Sequence, residues 1–129
     1  MALKNELEAA CRGLVYISET DRPIRPVFEA VGGESTLTEF VSKSLRASSV
    51  PIKEKPPSIF FDRLTVDRDW HSADDKTLAR RFRRLESLLM DNLIEVTMFR
   101  AGRVQVEIFV VGRDDDGNIA GVRTSAVET

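Results

Sequence analysis

Residues 94–127 read IEVTMFRAGRVQVEIFVVGRDDDGNIAGVRTSAV, and this stretch decides the fold. Apolar side chains alternate at Ile94, Val96 and Met98, then at Val104, Val106, Ile108 and Val110, which is the two-residue period of a strand with one face inward. Ala101-Gly102 separates the two runs, and Asp114 to Asn118 follows the second. Both have turn chemistry, because glycine tolerates a positive φ and an aspartate side chain bonds backbone amides just beyond it. The stretch predicts an antiparallel meander whose last strand runs from Ile119 to about Val127.

Immediately upstream the period changes from two to about 3.6. Leu78, Phe82, Leu85, Leu88, Leu89 and Leu93 form one apolar stripe, predicting a helix through about Asn92 that Asp74 or Asp75 can cap. A second stripe, Leu3, Leu7, Ala10, Cys11 and Leu14, predicts a helix from Ala2 to Arg12 with Gly13 suited to its stop. Leu14 to Ile17 then reads as an extended run turning into an acidic loop at Ser18 to Asp21, with Val27 to Val31 as a short strand. Thr36 and Glu39 fit a capping box opening a helix that turns Leu37, Phe40, Val41 and Leu45 inward. Residues 48–57, SSVPIKEKPP, carry three prolines and alternating charges and predict a surface loop, followed by a short helix or buried anchor at Ser58 to Phe61. Helices followed by a meander make the chain an α+β protein.

At 129 residues and 14.5 kDa the chain fits one domain spanning 1–129. With 42% hydrophobic and 31% charged residues it can bury a core. A net charge of -2 and a pI near 5.5 argue against nucleic acid as the main ligand. No apolar run approaches the length of a membrane helix, and MALKNELEAA lacks the basic and apolar regions of a signal peptide, so a cytoplasmic location is expected. Cys11 and His71 are the only residues of their types, which excludes an internal disulfide and the common Cys/His zinc sites. Cys11 reads as a small buried hydrophobe rather than a reactive thiol.

Four groupings could carry chemistry. Arg80, Arg81, Arg83 and Arg84 could form a phosphate-binding ridge, although helical geometry spreads them over the solvent side. Asp114 to Asp116 starts like a calcium loop but lacks the spaced ligands and the distal glutamate, so an acidic hairpin is the better reading. His71 with Asp69, Asp74 and Asp75 could supply a base or a metal site, yet acids before a helix are explained by capping and the helix dipole. Trp70 is either a core plug or an exposed anchor for a partner.

Three blocks taken together resemble the nuclease A inhibitor family of small bacterial proteins. The first is Gly13 to Asp21, GLVYISETD, with Pro23 and Phe28 beyond it. The second is Phe60-Phe61, then Asp69-Trp70, then the helix through Leu93. The third is the C-terminal GNIAGVRTSAVET, where Gly117, Asn118, Ala120, Gly121, Thr124, Val127, Glu128 and Thr129 match the pattern. The resemblance covers residues 6–31 and 59–129 and leaves 32–58 unplaced.

It implies a three-layer α/β/α sandwich like that of the PR-1 proteins. It also implies a non-enzymatic protein that inhibits sugar-nonspecific DNA/RNA endonucleases of the ββα-metal type. In such proteins a glutamate of the Ser-Glu loop, the loop tryptophan and the C-terminal threonine reach the nuclease active site, positions held here by Glu19, Trp70 and Thr129, with Ser18, Asp69 and Glu128 as supporting contacts. The chain would carry no cofactor or metal of its own and bind neither nucleic acid directly nor membrane; the Mg2+ at the interface would belong to the nuclease, where the Thr129 carboxylate can ligate it. The alternative is a nucleic-acid-binding or general interaction module using the arginine helix.

Overall fold

The computed structural model describes residues 3–17, 21–30, 36–45, 51–65 and 72–127. Among them the chain forms α1 (Leu3–Cys11), β1 (Val15–Ile17), β2 (Asp21–Pro23), β3 (Arg25–Glu29) and α2 (Leu37–Leu45). Then follow β4 (Ile52–Lys55), α3 (Ser58–Phe61), α4 (Ala73–Asn92), β5 (Ile94–Ala101), β6 (Gln105–Arg113) and β7 (Ile119–Val127). Five strands make an antiparallel sheet ordered β3-β7-β6-β5-β4, and β1 and β2 pair separately. The protein is therefore a mixed α+β fold built on a five-stranded antiparallel sheet with four helices among the described residues.

The meander predicted for residues 94–127 is present, but both of its faces are covered. Val106, Ile108 and Val110 of β6 join Ala120, Val122 and Ala126 of β7 in a core with Leu7 of α1, Phe60 and Phe61 of α3, and Phe82, Leu85 and Leu89 of α4. The alternate residues Phe109 and Val111 join Val27, Phe99 and Ile119 in a second core with Val41 of α2, against which Leu37, Phe40 and Leu45 pack. Alternation along β6 thus sends neighbouring residues to opposite cores. Each buried large apolar side chain contributes about 1.5–3 kcal/mol, so α4 and α2 hold the sheet from its two sides.

The helix signals act as their chemistry dictates. Gly13 ends α1 with φ +72°. The Glu39 amide donates to Thr36 Oγ1 at 3.0 Å, opening α2. At α4 the cap is Ser72 rather than Asp74 or Asp75: the Asp75 amide donates to Ser72 Oγ and the Ser72 amide to Asp75 Oδ2, so Asp75 is the reciprocal partner of a capping box. In the second hairpin Asp114 Oδ1 accepts from the amides of Asp116 and Asn118, both at 2.9 Å, which directs that carboxylate into the turn itself.

Three expectations are corrected. The proline-rich stretch contains a strand, β4, paired with β5 from Ile52↔Ala101 to Lys55↔Met98. It survives because Pro51 and Pro56 flank the strand and because it lies at the sheet edge, with three of its four residues exposed. The segment around Asp21 is not only a loop, since β2 pairs back on β1 in register Ile17↔Asp21. The short strand expected at Val27 to Val31 begins earlier, at Arg25, because the register with β7 starts at Arg25↔Arg123.

Cys11 is buried within the first core, 4% exposed. Burial pushes its thiol up to about 11 from a usual 9.0, with Arg81 nearby pulling weakly the other way. A difference of this size means a thiolate fraction roughly a hundredfold smaller than in the unfolded chain near pH 8. Alkylation of Cys11 in the native protein is expected to be slower than in urea by at least that factor, and equal rates would show that the site is open. Because the folded value lies above the unfolded one, this group's contribution to stability is intact below pH 9 and is lost as pH rises toward 11. No helix among the described residues is long and apolar enough to cross a membrane.

Candidate functional site

The positions drawn from the family resemblance, Ser18, Glu19, Asp69, Trp70, Glu128 and Thr129, lie outside the described residues, as does His71. What the structure describes are the residues on either side of them. Segment 18–20 is bounded by the paired residues Ile17 and Asp21. Segment 66–71 is bounded by Thr65 and by Ser72, the cap of α4, and segment 128–129 follows Val127 at the end of β7.

Hydrogen bonds and a ring contact hold the elements next to these segments. Thr124 Oγ1 of β7 donates to the Pro23 carbonyl at 3.0 Å, and β3 runs antiparallel to β7 from Arg25↔Arg123. Going backward from Arg25, the chain therefore approaches the Val127 end of β7, where Val127 pairs with Gln105. Tyr16 of β1 stacks on Phe60 of α3 with ring centroids 5.4 Å apart, and its hydroxyl meets Arg63 Nη2 at 3.2 Å. Arg83 Nε of α4 donates to the Thr65 carbonyl at 3.0 Å, so the residue entering segment 66–71 is held against α4.

Two contacts fix points along α4. Its C-terminal neighbour Leu93 lies against Gly112, which pairs with Ala120 at the far end of the sheet from Val127. Arg81 sits level with the end of α1, where Arg81 Nη2 donates to the carbonyls of Ala10 at 3.2 Å and Arg12 at 2.6 Å. At a rise of about 1.5 Å per residue, Ser72 is roughly 13 Å further along the helix from Arg81, on the side away from Leu93.

The four arginines do not all face solvent, as their expected spread over the solvent side of the helix would have it. Arg81 is half-buried and supplies hydrogen bonds and a favourable charge to the C-terminal carbonyls of α1. Arg83 braces Thr65, and Arg80 bonds Thr77 on its own helix. The signal for Arg81 was in the spacing: it stands three residues after Leu78 and four before Leu85, on the margin of the apolar stripe. Arg81→Ala is expected to lose about 1–3 kcal/mol in urea unfolding, whereas Arg80→Ala should stay within about 0.5 kcal/mol. Equal effects would remove the bracing role.

One acid of α4 is perturbed. Partial burial raises the Glu86 carboxyl above its usual value, and the charge of Asp62, just after α3, adds to it. The folded state therefore favours the protonated form, and the neutral Glu86→Gln chain should melt higher than the parent near pH 7, with the gap closing as pH falls through the carboxylate range.

No curated protein matches the chain. A family model described as nuclease A inhibitor-like protein matches residues 1–129, and the chain belongs to that family.

Proposed function

We propose that this protein is a non-enzymatic inhibitor of a sugar-nonspecific DNA/RNA endonuclease of the ββα-metal type, and that it acts by blocking the nuclease active site. Family membership over residues 1–129 carries this reading. The packing of the β1–β2 pair against β7 supports it, because segments leaving neighbouring elements can address one partner surface.

In this reading Glu19 pairs with a cation that would otherwise hold substrate phosphate, and Trp70 is the apolar anchor. Thr129 presents a terminal carboxylate, anionic near neutral pH, to the nuclease Mg2+ in place of phosphate. Ser18, Asp69 and Glu128 provide supporting contacts. The protein works in the cytoplasm of a bacterial cell that makes the nuclease and carries no cofactor of its own. We further infer that the helices on the two faces of the sheet are the outer layers of a three-layer α/β/α sandwich of the PR-1 kind.

The test is a titration of a ββα-metal nuclease with the full chain and with a chain lacking Thr129. Full-length protein is expected to abolish cleavage near one equivalent, and the truncation to weaken inhibition at least tenfold, equivalent to about 1.4 kcal/mol. Inhibition unchanged by the truncation would discard the phosphate-mimicking chain end, and absence of inhibition would discard the proposed activity.

A further inference from the structure

Beyond α2 the Val27 face of the sheet is polar. A groove of 360 Å3 opens there, lined by Arg22, Pro23, Arg25, Glu107, Arg123, Thr124 and Ser125. Arg25 and Arg123 are direct partners in the β3–β7 register, so two guanidinium side chains project from facing positions on one face of the sheet. Like charges directly opposite each other destabilise a strand pair. Arg123 is partly compensated by Glu107 Oε2 at 3.8 Å and by the Phe109 ring, whose centroid lies 4.6 Å from its guanidinium carbon. Arg22, which has an interaction of its own, completes the cationic lining. In a chain with net charge -2, this is a local concentration of the opposite sign.

From this juxtaposition we propose that the groove is a binding site for a phosphate monoester or free phosphate, held between the guanidinium groups of Arg25 and Arg123. The donor set selects the class. A single arginine fork saturates the two oxygens of a carboxylate, whereas a tetrahedral phosphate has oxygens left for a second fork and for a hydroxyl such as that of Ser125. A dianion also neutralises the repulsion between the paired arginines, so binding relieves a cost that the free protein bears. The Arg123–Phe109 contact holds one guanidinium in place beforehand, reducing the ordering needed on binding. The site is independent of the nuclease reading, since it uses none of the residues proposed to meet the nuclease.

The experiment is an amide chemical-shift titration of the full chain with sodium phosphate and with adenosine 5′-monophosphate, at ionic strength held constant with sodium chloride. Saturable shifts confined to residues 22–25, 107 and 123–125 are expected, weakened at least tenfold in Arg25→Gln and partly retained in Arg25→Lys. Arg25 is exposed and Arg25→Gln removes a like-charge pair, so its melting temperature in chloride is expected to equal or exceed that of the parent, while the rise that phosphate causes in the parent is lost. Shifts equal in phosphate and chloride, or phosphate affinity unchanged in Arg25→Gln, would overturn the site. So would a 5′-hydroxyl oligonucleotide that binds these residues with a steep salt dependence while phosphate and the monophosphate do not, since that would assign the groove to backbone phosphates.

Discussion

Gly121→Ala is expected to destabilise the protein by about 3 kcal/mol or more, a large part of the roughly 5–15 kcal/mol that holds a domain of this size together. Gly121 lies in the middle of β7, paired with Val111 on one side and Val27 on the other. Its φ is +155°, and a Cβ built there would stand 2.0 Å from the Val110 carbonyl oxygen and 2.7 Å from the Val111 Cα. Those neighbours are backbone of the central strand, pinned on their other side by β5 and packed in the two cores, so they cannot retreat without opening the sheet. Urea or thermal unfolding measures the effect, with a fall in melting temperature of roughly 10 °C or more. Ser125→Ala on the same strand, half-exposed, is the control and should change little. A Gly121→Ala chain as stable as the parent would mean that the β6–β7 register is not the one described.

The second large effect concerns binding. Under the proposed function, Glu19→Ala should weaken nuclease inhibition by about 2–5 kcal/mol, or roughly 30-fold to several thousand-fold, because it leaves a buried cation of the nuclease unpaired. Trp70→Ala should cost about 2 kcal/mol or more if the indole is the interface anchor. The two variants are informative together with their melting temperatures. A solvent-facing anchor can be removed without loss of stability, whereas a core plug cannot, so a Trp70→Ala chain that melts well below the parent would assign the tryptophan to the fold and remove it from the interface. Inhibition constants for both variants against the parent, at fixed salt, are the measurement. Glu19→Ala with unchanged inhibition would exclude the proposed charge pair.

The two predictions draw on different kinds of information. The demand for glycine at 121 is invisible in the local sequence, where IAGVRTSAV reads as an ordinary strand, and comes from how near β6 approaches. Glu19, Trp70 and Thr129 come from the family pattern, and all three lie outside the described residues. Their spacing of 51 and 59 residues along the chain offers no local signal that they belong together.

Much of the fold was nevertheless readable from residues alone. The helices α1, α2 and α4 and the meander β5 to β7 appear where period, capping residues and turn glycines put them, because those signals act between residues a few positions apart. Thr36 with Glu39 and the Asp114 turn behave as their local chemistry requires. Tertiary structure decided the rest. The edge pairing of β4 overrode a proline-rich sequence, since a strand needing hydrogen bonds on one side only tolerates prolines at its ends. The short β1 and β2 gained their pairing through contact with β7 and α3, which no local period encodes. Arg81 became a brace for α1 and Arg25 the partner of Arg123 because long-range register places side chains together irrespective of their distance along the chain.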